Sequence, residues 1–484
     1  VLKPAGLSDD RHRAIAHGNQ LGQAAGLKKR RHEEGIAARI DPVRNHIRII
    51  DKNRDPARVL SGKAAQHIFV MGIAGALLIV FPAVTATFAY MYTADGYFLA
   101  FLFTFLAVYL TKKYPKAGWL SGGVLLSLSM GTYQAYLAAA ILLCLFDLIL
   151  LCLNANEIKG ILLRGLRYLG MGVLGGVLYM VILKICLALQ HKELDTYQGI
   201  SSMGKVSFSA LPGMIKGAYH DFFAFLKNGR IFVLNGFSVA AVVLLFGAAL
   251  LAVLLLYFHK KVYKKWYLSL LIVVFAILIP LGTNVILLIS AEAYYHLLMR
   301  MQWGLFPVFA AVCVEQGLGE APKRSQKAAY YAAIAGAALL IWQFLLADNI
   351  AYFNMRERYE KTYAYCLRLA DRIEQTEGYY TGMPIMMIGV LDEEKYPVTD
   401  ITSSVTERIS GSTGDMLIYK GEQYQAFMEH YLNVSLNVIT EEETIVEIYN
   451  SEEYKEMDSF PAKDSIKIVN GIMYIKTEPP EGRE

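Results

Sequence analysis

Between residues 67 and 347 the chain alternates long apolar runs with short polar breaks. Nine apolar segments stand out, roughly 67–91, 97–110, 119–131, 135–153, 168–189, 231–257, 267–289, 297–315 and 328–347. A helix that crosses a bilayer needs about 20 such residues. Two of the nine, 97–110 and 119–131, are short for that and read as tilted or re-entrant pieces. The first run closes on a polar turn, Thr93-Ala94-Asp95-Gly96, before the next begins at Tyr97. The pattern predicts a mainly α, polytopic membrane protein with about nine transmembrane helices.

The pattern changes on both sides of this block. Residues 1–66 are rich in Lys, Arg, Ala and Gly and poor in aromatics, and contain no apolar core for a signal peptide. They read as a basic, solvated, disordered segment; Lys28-Lys29-Arg30-Arg31 alone would otherwise suggest a nucleic-acid or headgroup patch. Residues 190–230 form a long polar connection with an amphipathic helix near 214–227, whose Tyr219, Phe222, Phe223 and Phe225 suit a membrane interface. After Asn349 polar residues return. A helix over 353–376, a buried strand at 384–390, short helices at 421–432 and 441–456, and a hairpin over 466–477 turning at Asn470-Gly471 predict an α+β domain over 350–484. The expected organisation is thus 1–66, a membrane domain over 67–349, and that domain.

Charge orients the scheme. Lys112, Lys113 and Lys116, then Lys159, Arg164 and Arg167, then Lys260, Lys261, Lys264 and Lys265, then Lys323, Arg324 and Lys327 fall in alternate loops. The turns between them, 92–96, 131–134 and 290–296, hold no Lys or Arg. By the positive-inside rule the basic loops and the N-terminus are cytoplasmic, and nine crossings leave the C-terminal domain outside. A content of 55% hydrophobic residues is high for a soluble chain of 484. Of the five cysteines only Cys366 lies in the polar C-terminal part, which excludes a disulfide within it. No Cys/His cluster suggests a metal, and no Gly-rich phosphate loop or Walker-type sequence suggests a nucleotide-fuelled pump.

Candidate chemistry collects in the outer turns. Asp95 is either a working carboxylate or ordinary Ala-Asp-Gly turn chemistry. Tyr133 and Gln134 suit hydrogen bonding to a sugar or anchoring at the interface. Glu292, Tyr294, Tyr295 and His296 precede Arg300, which lies inside an apolar segment. An ionisable residue there is a functional candidate unless it snorkels to the surface. His296 and Arg300, four apart, would share one helix face, and a guanidinium grips a phosphate in bidentate fashion. Asp147 and Lys184 lie within spans and read as structural. Gly172 and Gly176 have the small-xxx-small spacing of close helix packing.

The runs FPAVTATFAYMYTADGYFLA, LSLSMGTYQAYLAAAI, YYHLLMRMQWGLFP and FPAKDSIKIVNGIMYIK, in that order, resemble the GtrII-type glucosyltransferases over about 67–477. The resemblance implies a GT-C-like membrane glycosyltransferase of the bacterial plasma membrane, active in surface-polysaccharide modification. Such an enzyme moves glucose, or a similar hexose, from a polyprenyl-phosphate carrier to an extracytoplasmic glycan acceptor. It uses no nucleotide, cofactor or metal and binds no nucleic acid. Asp95 would then be the catalytic carboxylate; Tyr133, Gln134, His296 and Arg300 would bind substrate. One departure stands out. Members of this type begin with a span and a large acidic outer loop, whereas residues 1–66 contain no span and look foreign to the family. A truncated or fused, inactive member is the alternative this raises. A flippase for lipid-linked sugars is another, though few mid-span charges and no internal repeat favour it.

Overall fold

The computed structural model describes residues 56–192, 209–228, 231–289, 295–318, 323–388, 409, 418 and 421–477. The basic segment up to residue 55, and Glu292 and Tyr294 of the third outer turn, lie outside the described residues. The chain divides into two units, Val1–Ile68 and Phe69–Glu484. The features below belong to the second, apart from the start of the first helix, which lies in the first unit.

Each of the nine apolar segments is helical. In chain order the helices are α1 (Pro56–Ile79), α2 (Pro82–Phe88), α3 (Met91–Lys113), α4 (Gly118–Thr132), α5 (Leu137–Leu153), α6 (Ile158–Gln190), α7 (Leu211–Asn228), α8 (Gly236–His259), α9 (Trp266–Thr283), α10 (Val285–Ile289), α11 (Leu305–Leu318) and α12 (Arg324–Glu374). A single 3-10 turn, Gln134–Tyr136, leads into α5, and a kinked 3-10 segment, Leu297–Gly304, leads into α11. Among the described residues seven helices are long and apolar enough to cross a membrane, or eight if the bent pair α1–α2 is one span. Of the expected nine, α4 falls short in length, its 15 residues reaching only about 22 Å against a hydrocarbon core of about 30 Å, although it still joins the loop at Lys113 to the turn at Tyr133.

Burial sorts the spans. The windows through α5 and α11 are 72% and 78% buried, so these two form the centre, whereas α6 is 11% buried and turns Leu162, Leu166, Leu169 and Val173 outward. An apolar outer face of this kind suits lipid. The pairing of α6 with α4 departs from the spacing expected of its glycines. A Cβ on Gly172 or Gly176 would meet open space. One on Gly175 would lie 3.1 Å from Leu126 and 3.2 Å from the Gly123 carbonyl. Spacing identifies candidate small residues, but the rotation of the helix decides which one meets the neighbour.

The first span breaks by 45° between α1 and α2. Pro82 has no N–H to continue the ladder, and Phe81 before it takes the extended conformation that proline imposes (φ −69°, ψ 130°). The short α2 is buried and packs against Leu297–Gly304; Gly304 leaves room for the Phe81 ring, which would lie 3.2 Å from a Cβ there.

Two connections differ from expectation. The span expected at 328–347 and the helix of the C-terminal domain expected at 353–376 are one helix, α12, of 51 residues. No Pro or Gly lies between them, so the hydrogen-bond ladder runs on while only the composition changes. The polar stretch around Asp95 is not a turn. The break lies at Ala89–Tyr90, and Asp95 sits in the second turn of α3.

The C-terminal part is an α+β layer structure. A four-stranded sheet has the order β2 (Asn437–Val438), β1 (Pro384–Ile388), β4 (Ile472–Lys476), β3 (Ile466–Val469), with β1 parallel to both neighbours and β3–β4 antiparallel. Alternation sends Ile385, Met387, Met473 and Ile475 toward Cys366, Leu369 and Ile373 of α12. Met386 and Tyr474 point to the other face, against Ile448 and Tyr454. The hairpin turns at Asn470 and Gly471, both left-handed (φ 51° and 79°), as a two-residue primed turn requires.

Candidate functional site

Two polar clusters occupy opposite ends of the helical bundle. The first lies at the end that carries the basic loops. Asp147, on the central helix α5, is buried. Lys112 Nζ lies 2.6 Å from one carboxylate oxygen, and Arg164 Nη1 3.1 Å from the other. The Tyr168 hydroxyl donates to that second oxygen at 2.8 Å. Lys184, the other in-span charge, is exposed. Lys265 Nζ donates to the Ala155 carbonyl at 2.9 Å, and Asn154 to Gln316 at 3.0 Å, which tie the basic loops together. Asp147 is answered from regular helices on both sides, so the cluster reads as a tie between α3, α5 and α6.

The second cluster is built on irregular backbone. Leu297–Gly304 is a 3-10 segment with Arg300 off the helical region (φ −105°, ψ 23°), and His296 is its extended N-cap. His296 and Arg300 therefore do not share an α-helical face, which the spacing alone had suggested. Arg300 is 7% exposed. Its Nη1 and Nη2 donate to the two oxygens of Asp221 at 2.7 and 2.8 Å. Its guanidinium lies between the rings of Tyr295 and Phe225, 3.8 and 4.5 Å from their centroids. Asn284, at the end of α9, donates to Asp221 Oδ2 at 3.0 Å and to the Ala218 carbonyl at 2.8 Å. Gln302 donates to the Thr283 carbonyl and the Tyr295 hydroxyl at 2.8 and 2.6 Å.

The turn at Tyr133–Tyr136 packs against this segment. Tyr133 stands over Tyr97 (4.4 Å between centroids) and Tyr136 (5.0 Å). Burial first, then the neighbouring Tyr136, Tyr97, Tyr90 and Tyr295, push its phenol well above the usual range. Burial likewise raises Tyr295 and lowers His296, which disfavours the charged imidazole. Gln134 is committed elsewhere, donating to the Tyr179 hydroxyl of α6 at 2.7 Å. Asp95 stands at the same end on α3, two residues before Tyr97, with its side chain exposed and Oδ1 accepting from the Gly96 N–H at 2.8 Å. The structure thus brings Tyr133, His296 and Arg300 to one locality, sets Asp95 at its margin and turns Gln134 toward α6. Among the described residues no three His, Cys, Asp or Glu side chains gather as a metal site.

Asp221, Asn284 and Gln302 are the polar partners that sequence reading passes over. For Asp221 a signal exists. Ala218, Asp221, Phe222 and Phe225 recur at i, i+3, i+4 and i+7 of α7, so a carboxylate stands in its apolar stripe. A charge so placed demands a partner from the bundle, and Arg300 supplies it.

The family model for Glucosyl transferase GtrII matches residues 58–314, just over half of the chain. No curated protein and no solved structure matches it. The matched stretch contains Asp95, the Tyr133–Tyr136 turn, Asp221 and the Arg300 segment. The chain belongs to the GtrII glucosyltransferase family.

Proposed function

We propose that this chain transfers glucose, or a similar hexose, from a polyprenyl-phosphate carrier to an acceptor glycan at the outer face of a bacterial plasma membrane. The observation that carries the reading is the coincidence of a glucosyltransferase family match with a buried arginine at the end of the bundle opposite the basic loops. With those loops cytoplasmic, the Arg300 end faces outward, and the polar region after residue 349 stands on the acceptor's side.

In this reading the acceptor hydroxyl oxygen attacks the anomeric carbon while the bond from that carbon to the carrier phosphate breaks. The hydroxyl proton passes to the carboxylate of Asp95, which α3 presents in solvent near the tyrosines. The electron pair leaves with the phosphate, whose growing charge Arg300 balances in bidentate geometry. Tyr133 lines the approach of the sugar, while Gln134 stays bonded to Tyr179, and His296 donates a hydrogen bond.

The test is donor consumption. The full chain is reconstituted into liposomes holding undecaprenyl-phosphate glucose labelled in the sugar, and release of undecaprenyl phosphate is followed with acceptor glycan outside. Acceptor-dependent release is expected. Movement of the intact labelled lipid between leaflets without release would identify a flippase and overturn the reading.

A further inference from the structure

The ion pair at Arg300 is lopsided. The arginine side chain is 9% exposed and that of Asp221 is 28% exposed. The cation is therefore the interior member of the pair and the carboxylate the more accessible one. Arg300 is also held without Asp221. The rings of Tyr295 and Phe225 flank it, and its Nε reaches the Tyr295 carbonyl at 3.4 Å.

Asp221 is equally dispensable for docking α7. The Tyr219 hydroxyl donates to the Ile277 carbonyl at 2.6 Å, and Asn284 holds the Ala218 carbonyl at 2.8 Å. Phe222 and Phe225 lie against Trp303, with centroids 4.8 and 4.6 Å away. What Asp221 does provide is an anion for a charge that is costly to leave unpaired in a buried place.

We infer that Asp221 is an exchangeable counter-ion, and that a lipid-borne phosphate takes over the two Nη donors it occupies. A phosphate presents the same pair of acceptor oxygens with at least as much charge. The exchange is selective, because a neutral lipid or a free sugar cannot replace the carboxylate without stranding the guanidinium. It rests on the proposed role of Arg300 in holding the donor phosphate, and names the residue that yields the place.

The experiment measures binding of citronellyl phosphate, a short polyprenyl phosphate, to the full detergent-purified chain by calorimetry, with inorganic phosphate as a second ligand. Removing the competitor in Asp221→Asn is expected to tighten Kd for citronellyl phosphate roughly tenfold, opposite to the loss a purely structural role would cause. Unchanged or weaker binding by folded Asp221→Asn overturns the exchange. Arg300→Ala is expected to abolish binding; if it binds like the unaltered protein, the phosphate role of Arg300 fails instead, and the exchange with it. Inorganic phosphate binding as tightly as citronellyl phosphate overturns the lipid-borne assignment. The unaltered protein supplies a measurement independent of any variant's folding. Labelling of Asp221 by a water-soluble carbodiimide, read by mass spectrometry, should rise when citronellyl phosphate is added. No rise overturns the exchange.

Discussion

Asp147 and Arg300 are both buried charges near the ends of apolar helices, yet they are answered in opposite ways. Asp147 meets two cations and a hydroxyl, from α3 and α6, on unbroken helices beside the basic loops. Arg300 meets one carboxylate and two aromatic faces, on a kinked 3-10 segment against a broken first span. A charge given more partners than it needs is fixed. A charge with one rim-side partner is poised. Regular backbone suits the first task; irregular backbone, which exposes polar groups at an end of the bundle, suits the second.

The largest effect that sharpens this contrast is expected at the margin of the Arg300 end. Asp95→Asn keeps the shape and removes the proposed proton acceptor. Transfer measured per folded molecule should fall about 10²- to 10⁴-fold, the range for loss of a general base. At the other end Asp147→Ala should leave transfer per folded molecule near its original value but cost stability. Lys112 and Arg164 are 55% and 22% exposed and regain water when released. The loss, read from thermal melts in detergent, should therefore be roughly 1–3 kcal/mol, less than for a fully buried pair.

A pair of glycine variants tests the packing of α6 on α4 beside the Asp147 tie. Gly175→Val drives a side chain into Leu126 and the Gly123 carbonyl and should cost about 1–3 kcal/mol by overpacking. Gly172→Val points into open space and should be close to neutral in the same melts. Equal effects would show that the helices meet on a different face.

The smallest effect concerns His296. Burial lowers its pKa in the folded chain, so the unfolded chain binds the proton more readily. Its contribution is complete above the ordinary histidine value of about 6.5 and is lost as pH falls through that value toward the lower folded one. His296 is partly exposed, so the loss should stay under about 1 kcal/mol. Melts of the unaltered protein and His296→Gln from about pH 8 down to about pH 5.5 should show the extra acid sensitivity only in the former.

Much of this contrast was legible in the order of residues. Period and length placed the long apolar helices, the hairpin at Asn470-Gly471 and the buried strand at Ile385, because these depend on neighbours a few positions apart, but they missed the start of α1 at Pro56, inside the stretch read as disordered, and the helical conformation at Asp95. The alternation of basic loops separated the two ends. What was not legible depended on contacts across the chain. Arg300 and Asp221 are 79 residues apart, and the linkage appears only once α7 lies across the bundle. Gly175 and Gly172 differ by less than one helical turn, which spacing cannot separate. The 3-10 conformation of Leu297–Gly304 broke the helical face presumed for His296 and Arg300. The break at Pro82 could be read from proline chemistry, whereas the Gly304 space that receives Phe81 could not.

The most direct measurement places the two clusters side by side. Single-turnover cleavage of undecaprenyl-phosphate glucose is followed in proteoliposomes, for Arg300→Ala and Asp147→Ala, each normalised to folded protein. The account predicts that Arg300→Ala slows cleavage about 10²- to 10³-fold, the scale of losing one preorganised group that balances transition-state charge, while Asp147→Ala cleaves at close to the unaltered rate. Equal rates for the two variants, or the larger loss at Asp147, would contradict it.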